Sequence, residues 1–138
     1  MNYRELVEPY WNAVSIHVGA DKFTQQFAAL PRASQHLYAT HWTQSEVQNG
    51  GLGQFFDNGA GILAPEAVEG FRTLGMPEAA AALADVMRLF GDPYPRERKT
   101  GEQVTLPRTI EDRFSKLLES EAGGFWDAAD RYAATHTT

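Results

Sequence analysis

Apolar side chains recur along almost the whole chain at intervals of three and four residues, the spacing that lines one face of an α-helix. Near the N-terminus Leu6, Tyr10, Val14 and Val18 step by four, with Val7 and Trp11 beside them. Pro9 has no N–H and fits only a first turn or a kink, so this element should be split or start late. Ala20, Phe23, Phe27 and Leu30 predict a short second helix. Pro31 suits the first position of a third, which carries Leu37, Tyr38, His41 and Trp42 on one face and runs to about Gln48.

Further along, Pro65 opens a helix with Ala67, Phe71 and Leu74 inward and Gly75 as its stop. Pro77 opens the next, with Ala79, Leu83, Val86 and Phe90 inward and Gly91 as its stop. The stretch GDPYPRERKTGEQVTLP has three prolines and no apolar period, which predicts a loop from about Gly91 to Pro107. A loop of that length inside a compact domain is often functional. Two closing helices follow, on Ile110, Phe114, Leu117 and Leu118 and then on Phe125, Ala129, Tyr132 and Ala133, parted by Gly123-Gly124. No β-branched run alternates over four residues, so no strand is expected. The pattern predicts an all-α fold, a single compact helical domain over residues 1–138 with seven to eight short helices and no sheet. At 138 residues the chain can bury roughly 68–70% of its unfolded surface.

Between the third helix and Pro65 lies SEVQNGGLGQFFDNGAG, Ser45 to Gly61, which holds five of the twelve glycines. Asn49-Gly50-Gly51 supplies residues that tolerate positive φ, as a helix end requires. A short helix from Leu52 to Asp57 should follow, closed in the same way by Asn58-Gly59. Glu46 and Asn49 are three apart, and Gln54 and Asn58 four apart, so each pair shares a helix face. A tight turn would gather the four into one polar cluster while Phe55 and Phe56 face the core. Either the amides cap helix ends and brace the corner, or the cluster lines a pocket for a small polar ligand. Glu46 would then be its general base.

Composition narrows the chemistry. With no cysteine there is neither a disulfide framework nor a thiolate metal site, which favours a reducing compartment. No secretory leader is read at the N-terminus and no run of 18 apolar residues occurs, so a cytoplasmic protein without membrane contact is expected. The net charge of −6 argues against direct nucleic-acid binding, which needs a basic footprint. His36 and His41 are five apart and share no helix face, so no metal site is read from the histidines His17, His36, His41 and His136. His41 belongs to the apolar face and reads as a hydrogen-bonded core histidine. Gly50-Gly51-x-Gly53 is not followed by lysine, which excludes a phosphate loop. No serine sits in a nucleophile elbow. No catalytic residue and no cofactor are therefore assigned. The one basic concentration, Arg96, Arg98 and Lys99, lies in the long loop; Arg96 or Arg98 is expected to fold back onto a carboxylate such as Glu46.

The runs EVQNGGLGQFFDNGAG, APEAVEGFRTLG, FGDPYPRER and GGFWDAADRYA, with their NGG-x-x-Q and YPR motifs, resemble a small bacterial family grouped with a DNA mimic protein. The resemblance runs from about Trp11 to Ala133. It implies an all-helical fold, a homodimer, and surface carboxylates that imitate the phosphates of duplex DNA. Its implied partner is a basic protein such as a DNA-binding regulator. In this sequence Glu66, Glu69, Glu78, Asp85 and Asp92 are the candidate acidic surface, and Glu119, Glu121, Asp127 and Asp130 a second patch. Glu78, Asp85 and Asp92 are seven apart and would line one helix face at about 10 Å intervals. Arg72 and Arg88 each sit three residues from one of these acids, where pairing would dilute the field.

Overall fold

A computed structural model describes residues 2–97 and 105–136. Among the described residues six α-helices carry the fold: α1 (Ala20–Ala28), α2 (Arg32–Asp57), α3 (Ala64–Thr73), α4 (Pro77–Met87), α5 (Arg108–Ser120) and α6 (Phe125–Thr135). Five short 3-10 turns complete it, and no strand occurs among the described residues. The all-α expectation holds, and the proline and glycine punctuation falls where it was read: Pro65 and Pro77 lie in the first turns of α3 and α4.

The N-terminus departs from its expected helix. Tyr3–Leu6 and Glu8–Tyr10 form two 3-10 turns, and residues 14–18 run without a helix towards α1. Pro9 sits inside the second turn and gives the backbone no N–H with which to continue. Tertiary contacts hold the segment instead. The Tyr3 N–H donates to Asp130 Oδ1 at 2.8 Å, and the Tyr38 hydroxyl donates to the Val14 carbonyl at 3.3 Å. Val18, read as inward, is exposed.

α2 is the spine. α3 packs along it, α4 on α3, and α5 against both α4 and α2, while α6 closes over the N-terminal turns. One core joins these elements, with Tyr3, Phe23, Phe55, Phe71, Phe114 and Phe125 fully buried. Phe71 meets Phe114 and Phe125 edge-on at 5.8 and 6.1 Å between centroids, the arrangement that ring quadrupoles favour. Among the described residues no helix is long and apolar enough to cross a membrane.

Two glycines set the geometry around α2. Gly51 takes φ +85° and ψ 175°, which breaks α2 into a long rod and a short one. The first rod thus runs slightly past Gln48, the expected end, before the break. Gly70 on α3 marks the closest approach of the two helices: a Cβ there would stand 2.7 Å from Thr40 Cγ2 and 2.9 Å from the His36 carbonyl oxygen. Gly70→Ala must push α3 off α2, and overpacking of this kind costs about 1–3 kcal/mol. Urea unfolding followed by circular dichroism is expected to show that loss, with Gly75→Ala, at a φ of +83° but with open space around it, as a comparison for pure backbone strain.

Candidate functional site

The break at Gly51 turns the short rod back so that its polar face meets the end of the long one. Glu46, half-buried on the long rod, accepts from Gln54 Nε2 at 3.0 Å and from Asn58 Nδ2 at 2.6 Å, both through Oε2. Asn58 Oδ1 accepts from the Ala60 N–H at 3.2 Å, which fixes the turn into α3. Phe55 and Phe56 are buried, as expected. Asn49 is not part of the cluster; it is exposed and makes no hydrogen bond to the other three. Gly50 and Gly51 supply the break rather than any side-chain chemistry. With its carboxylate held by two amides, Glu46 is arranged as a brace.

A second strap lies over the same corner. The Tyr94 hydroxyl donates to the Gly61 carbonyl at 2.6 Å, and Arg96 forks onto Glu66 at 2.7 and 2.8 Å while also donating to the Ile62 carbonyl at 3.0 Å. Arg96 therefore folds back, but onto Glu66 rather than Glu46. The reason is local: Tyr94 lays the strap along residues 61–66, which brings the guanidinium to the first turn of α3. The pair is largely shielded, with side chains 28% and 18% exposed. Glu66 raises the Arg96 pKa further, chiefly through this hydrogen bond and against the opposing pull of burial. Arg98 and Lys99 lie outside the described residues.

The candidate acids separate into two groups. Glu66 is taken by Arg96, Glu69 pairs with Arg72 at 2.8 Å, and Asp85 pairs with Arg88 and stands 3.9 Å from Arg113. Asp130 accepts the Tyr3 N–H. Glu121 accepts the N–H groups of Glu78 and Ala79, both at 2.7 Å, and so closes the start of α4. Asp92 does not continue the line of Glu78 and Asp85, because α4 ends at Met87 and the 3-10 turn after it at Phe90. Glu78, Asp92, Glu119 and Asp127 are exposed and carry no ion pair among the described residues. The Glu121 bond draws Glu78 into the corner where α5 passes to α6. Glu119, Glu121 and Asp127 flank that turn along the chain, so the backbone that carries Glu78 meets the segment that carries the second patch. Arg131 folds against this corner by donating to the Ala122 carbonyl.

Sequence reasoning passed over the aromatic ridge beside α2. Trp11 stacks on Trp42 at 4.9 Å, His41 lies 5.7 Å from Trp11 and 5.5 Å from Tyr3, and Tyr3 leads on to Trp126 at 6.2 Å. His41 and Trp42 were legible as one helix face, whereas Trp11 was read beside an N-terminal helix that the structure replaces with 3-10 turns. His41 is hydrogen-bonded as expected, its Nδ1 sharing a bond of 2.6 Å with the Tyr3 hydroxyl, but it is half-buried at the edge of the core rather than within it. No group of His, Asp and Glu among the described residues is arranged to hold a metal ion.

Fold and site together define a small helical protein whose glycine corner is braced by carboxylate, amide and guanidinium. The chain belongs to the family of DMP19-like proteins, which matches residues 28–136. No curated protein and no solved structure matches it.

Two predictions follow from the braces and the buried imidazoles. Glu46→Ala leaves the amides of Gln54 and Asn58 without their acceptor, and about 1–2 kcal/mol of stability should be lost in urea unfolding. Burial holds the His41 pKa below its ordinary 6.5, with Arg4 adding to the effect. Burial likewise lowers His36, helped by Arg32 and His136 and opposed by Glu69. The unfolded chain takes up these protons near pH 6.5 while the folded chain resists until lower pH, so stability is full above that value and falls below it. The urea midpoint should therefore drop between pH 7 and 5.5, and His41→Gln should flatten that slope.

Proposed function

We propose that the chain acts through protein–protein contact, presenting carboxylates to a basic, DNA-binding surface of a regulator in the manner of a DNA mimic. Membership in the DMP19-like family supports the class of function. The observation that carries the reading for this chain is the convergence of Glu78, Glu119, Glu121 and Asp127 at the α4 and α5–α6 corner, through the Glu121 bonds to α4. Duplex DNA presents one charge per roughly 1.7 Å of axis, so imitation depends on clustered, unpaired carboxylates. Glu66, Glu69 and Asp85, each held by an arginine, contribute little to such a field. Asp92 lies beyond the end of α4, outside that corner. A homodimer would present two such corners.

The test is affinity capture of a partner followed by salt titration and competition with duplex DNA. A DNA-binding protein should be recovered, released as salt rises and displaced by DNA. The double variant Glu78→Lys, Asp127→Lys should bind at least about tenfold more weakly at low salt, because each reversal puts repulsion where attraction stood. Reversing the paired Glu69 should matter less. Binding that survives the double reversal, or that duplex DNA does not displace, overturns the reading.

A further inference from the structure

Away from the acidic corner, α1, the first turns of α2 and the first turns of α3 enclose an open groove of about 530 Å³, within the range of small-ligand sites. Phe27 and Pro65 give it apolar walls. Its polar lining carries both signs, but the two carboxylates are already matched: Glu66 is held by Arg96 and Glu69 by Arg72. Arg32 is the exception. It is exposed, has no ion-pair partner among the described residues, and stands four residues before His36, so both present to the groove from one face of α2.

His36 supplies the independent observation. The residue is only 7% exposed, yet among the described residues neither ring nitrogen finds a hydrogen-bond partner; its ring contact is edge-on to Tyr132 at 6.2 Å. A buried imidazole without a partner is costly, and such groups call for an explanation. Among the described residues the one fully sealed polar side-chain atom without a partner is Trp42 Nε1. The His36 nitrogens are therefore not fully sealed, and His36 is one of the residues that line the groove. α2 also begins on Pro31 without a side-chain cap, so the positive end of its long rod, which runs as far as the break at Gly51, adds to the potential there.

We propose that this groove is a binding site for a small organic carboxylate, held by the Arg32 guanidinium and the His36 imidazole with its apolar body against Phe27 and Pro65. The guanidinium fork matches a carboxylate in two bonds, and the ring N–H supplies a third donor. The neutralised Glu66 and Glu69 leave the local charge favourable even though the chain as a whole is acidic. The site is separate from the carboxylates of the proposed partner surface, so either reading stands without the other.

Benzoate serves as the probe and benzamide as its uncharged counterpart, titrated into the full chain at constant chloride. The readout is the NMR signals of the histidine rings, with His36 assigned through His36→Gln. Benzoate should move the His36 signals saturably while leaving His41, held against Tyr3, in place. Benzamide should move them at least about tenfold less at equal concentration. Arg32→Gln, a change at an exposed position, should weaken benzoate by about tenfold or more. The proposal is overturned if the His36 signals stay still, if benzamide matches benzoate, or if Arg32→Gln binds as tightly as the unaltered chain.

Discussion

The fold depends on backbone N–H groups at helix starts that their own sequences leave uncovered. Among the described residues, none of the six α-helices is closed by a side chain from its own N-cap position, which is filled by Gly, Pro, Leu or Met. The first N–H groups of a helix have no internal acceptor and carry the positive end of its dipole. Carboxylates from distant parts of the chain meet several of them. Glu111 of α5 accepts the Gly53 N–H at 3.0 Å and closes the short rod of α2; Glu121 closes α4 through two bonds. Asp130 of α6 does the same for the N-terminal turn at Tyr3. Each bond joins elements that are remote in sequence, so capping here also fixes topology.

That arrangement changes what the acidic composition means. Counted along the chain, the acids suggest a continuous negative surface. In the fold, Glu46, Glu66, Glu111, Glu121 and Asp130 are committed to amides, a guanidinium or backbone N–H groups, while Glu69 and Asp85 lie under arginines of their own or a neighbouring helix. Exposed pairs of this kind add little stability, but they still cancel the field seen by a partner. Attraction for a basic surface must come from the remainder, and its reach depends on where that remainder is gathered.

What was legible in the sequence was local. Apolar residues at helical spacing gave the helices, and Pro65, Pro77 and Gly51 gave their ends, because each acts through φ, ψ and a missing N–H within a few residues. The corner of Glu46, Gln54 and Asn58 was legible for the same reason: two helix faces and one turn bring it together. Tyr3 was not, because Asp130, His41 and Phe125 hold it from the far end of the chain or from another helix. The partner of Arg96 was missed likewise. Glu46 was the carboxylate expected from sequence, and the Tyr94 bond to Gly61 lays Arg96 beside Glu66 instead. The groove at His36 was hidden by its own ordinary residues. Its one trace was the four-residue step from Arg32 to His36, which acquires meaning only once Gly70 has drawn α3 alongside.

The doubled role of Glu121 limits how the acidic corner can work. A cation that drew this carboxylate outward would strip two bonds from the first turn of α4, each to a group that water or another acceptor must then cover. Glu121 is therefore better placed to hold the corner than to meet a partner directly. Glu78, Glu119 and Asp127 have no such duty and can turn towards an incoming guanidinium without cost to the helices behind them. The same bonds that remove Glu121 from direct contact are what bring Glu78 beside the α5–α6 turn. A charge given up to capping thus creates the clustering that makes the neighbouring charges useful.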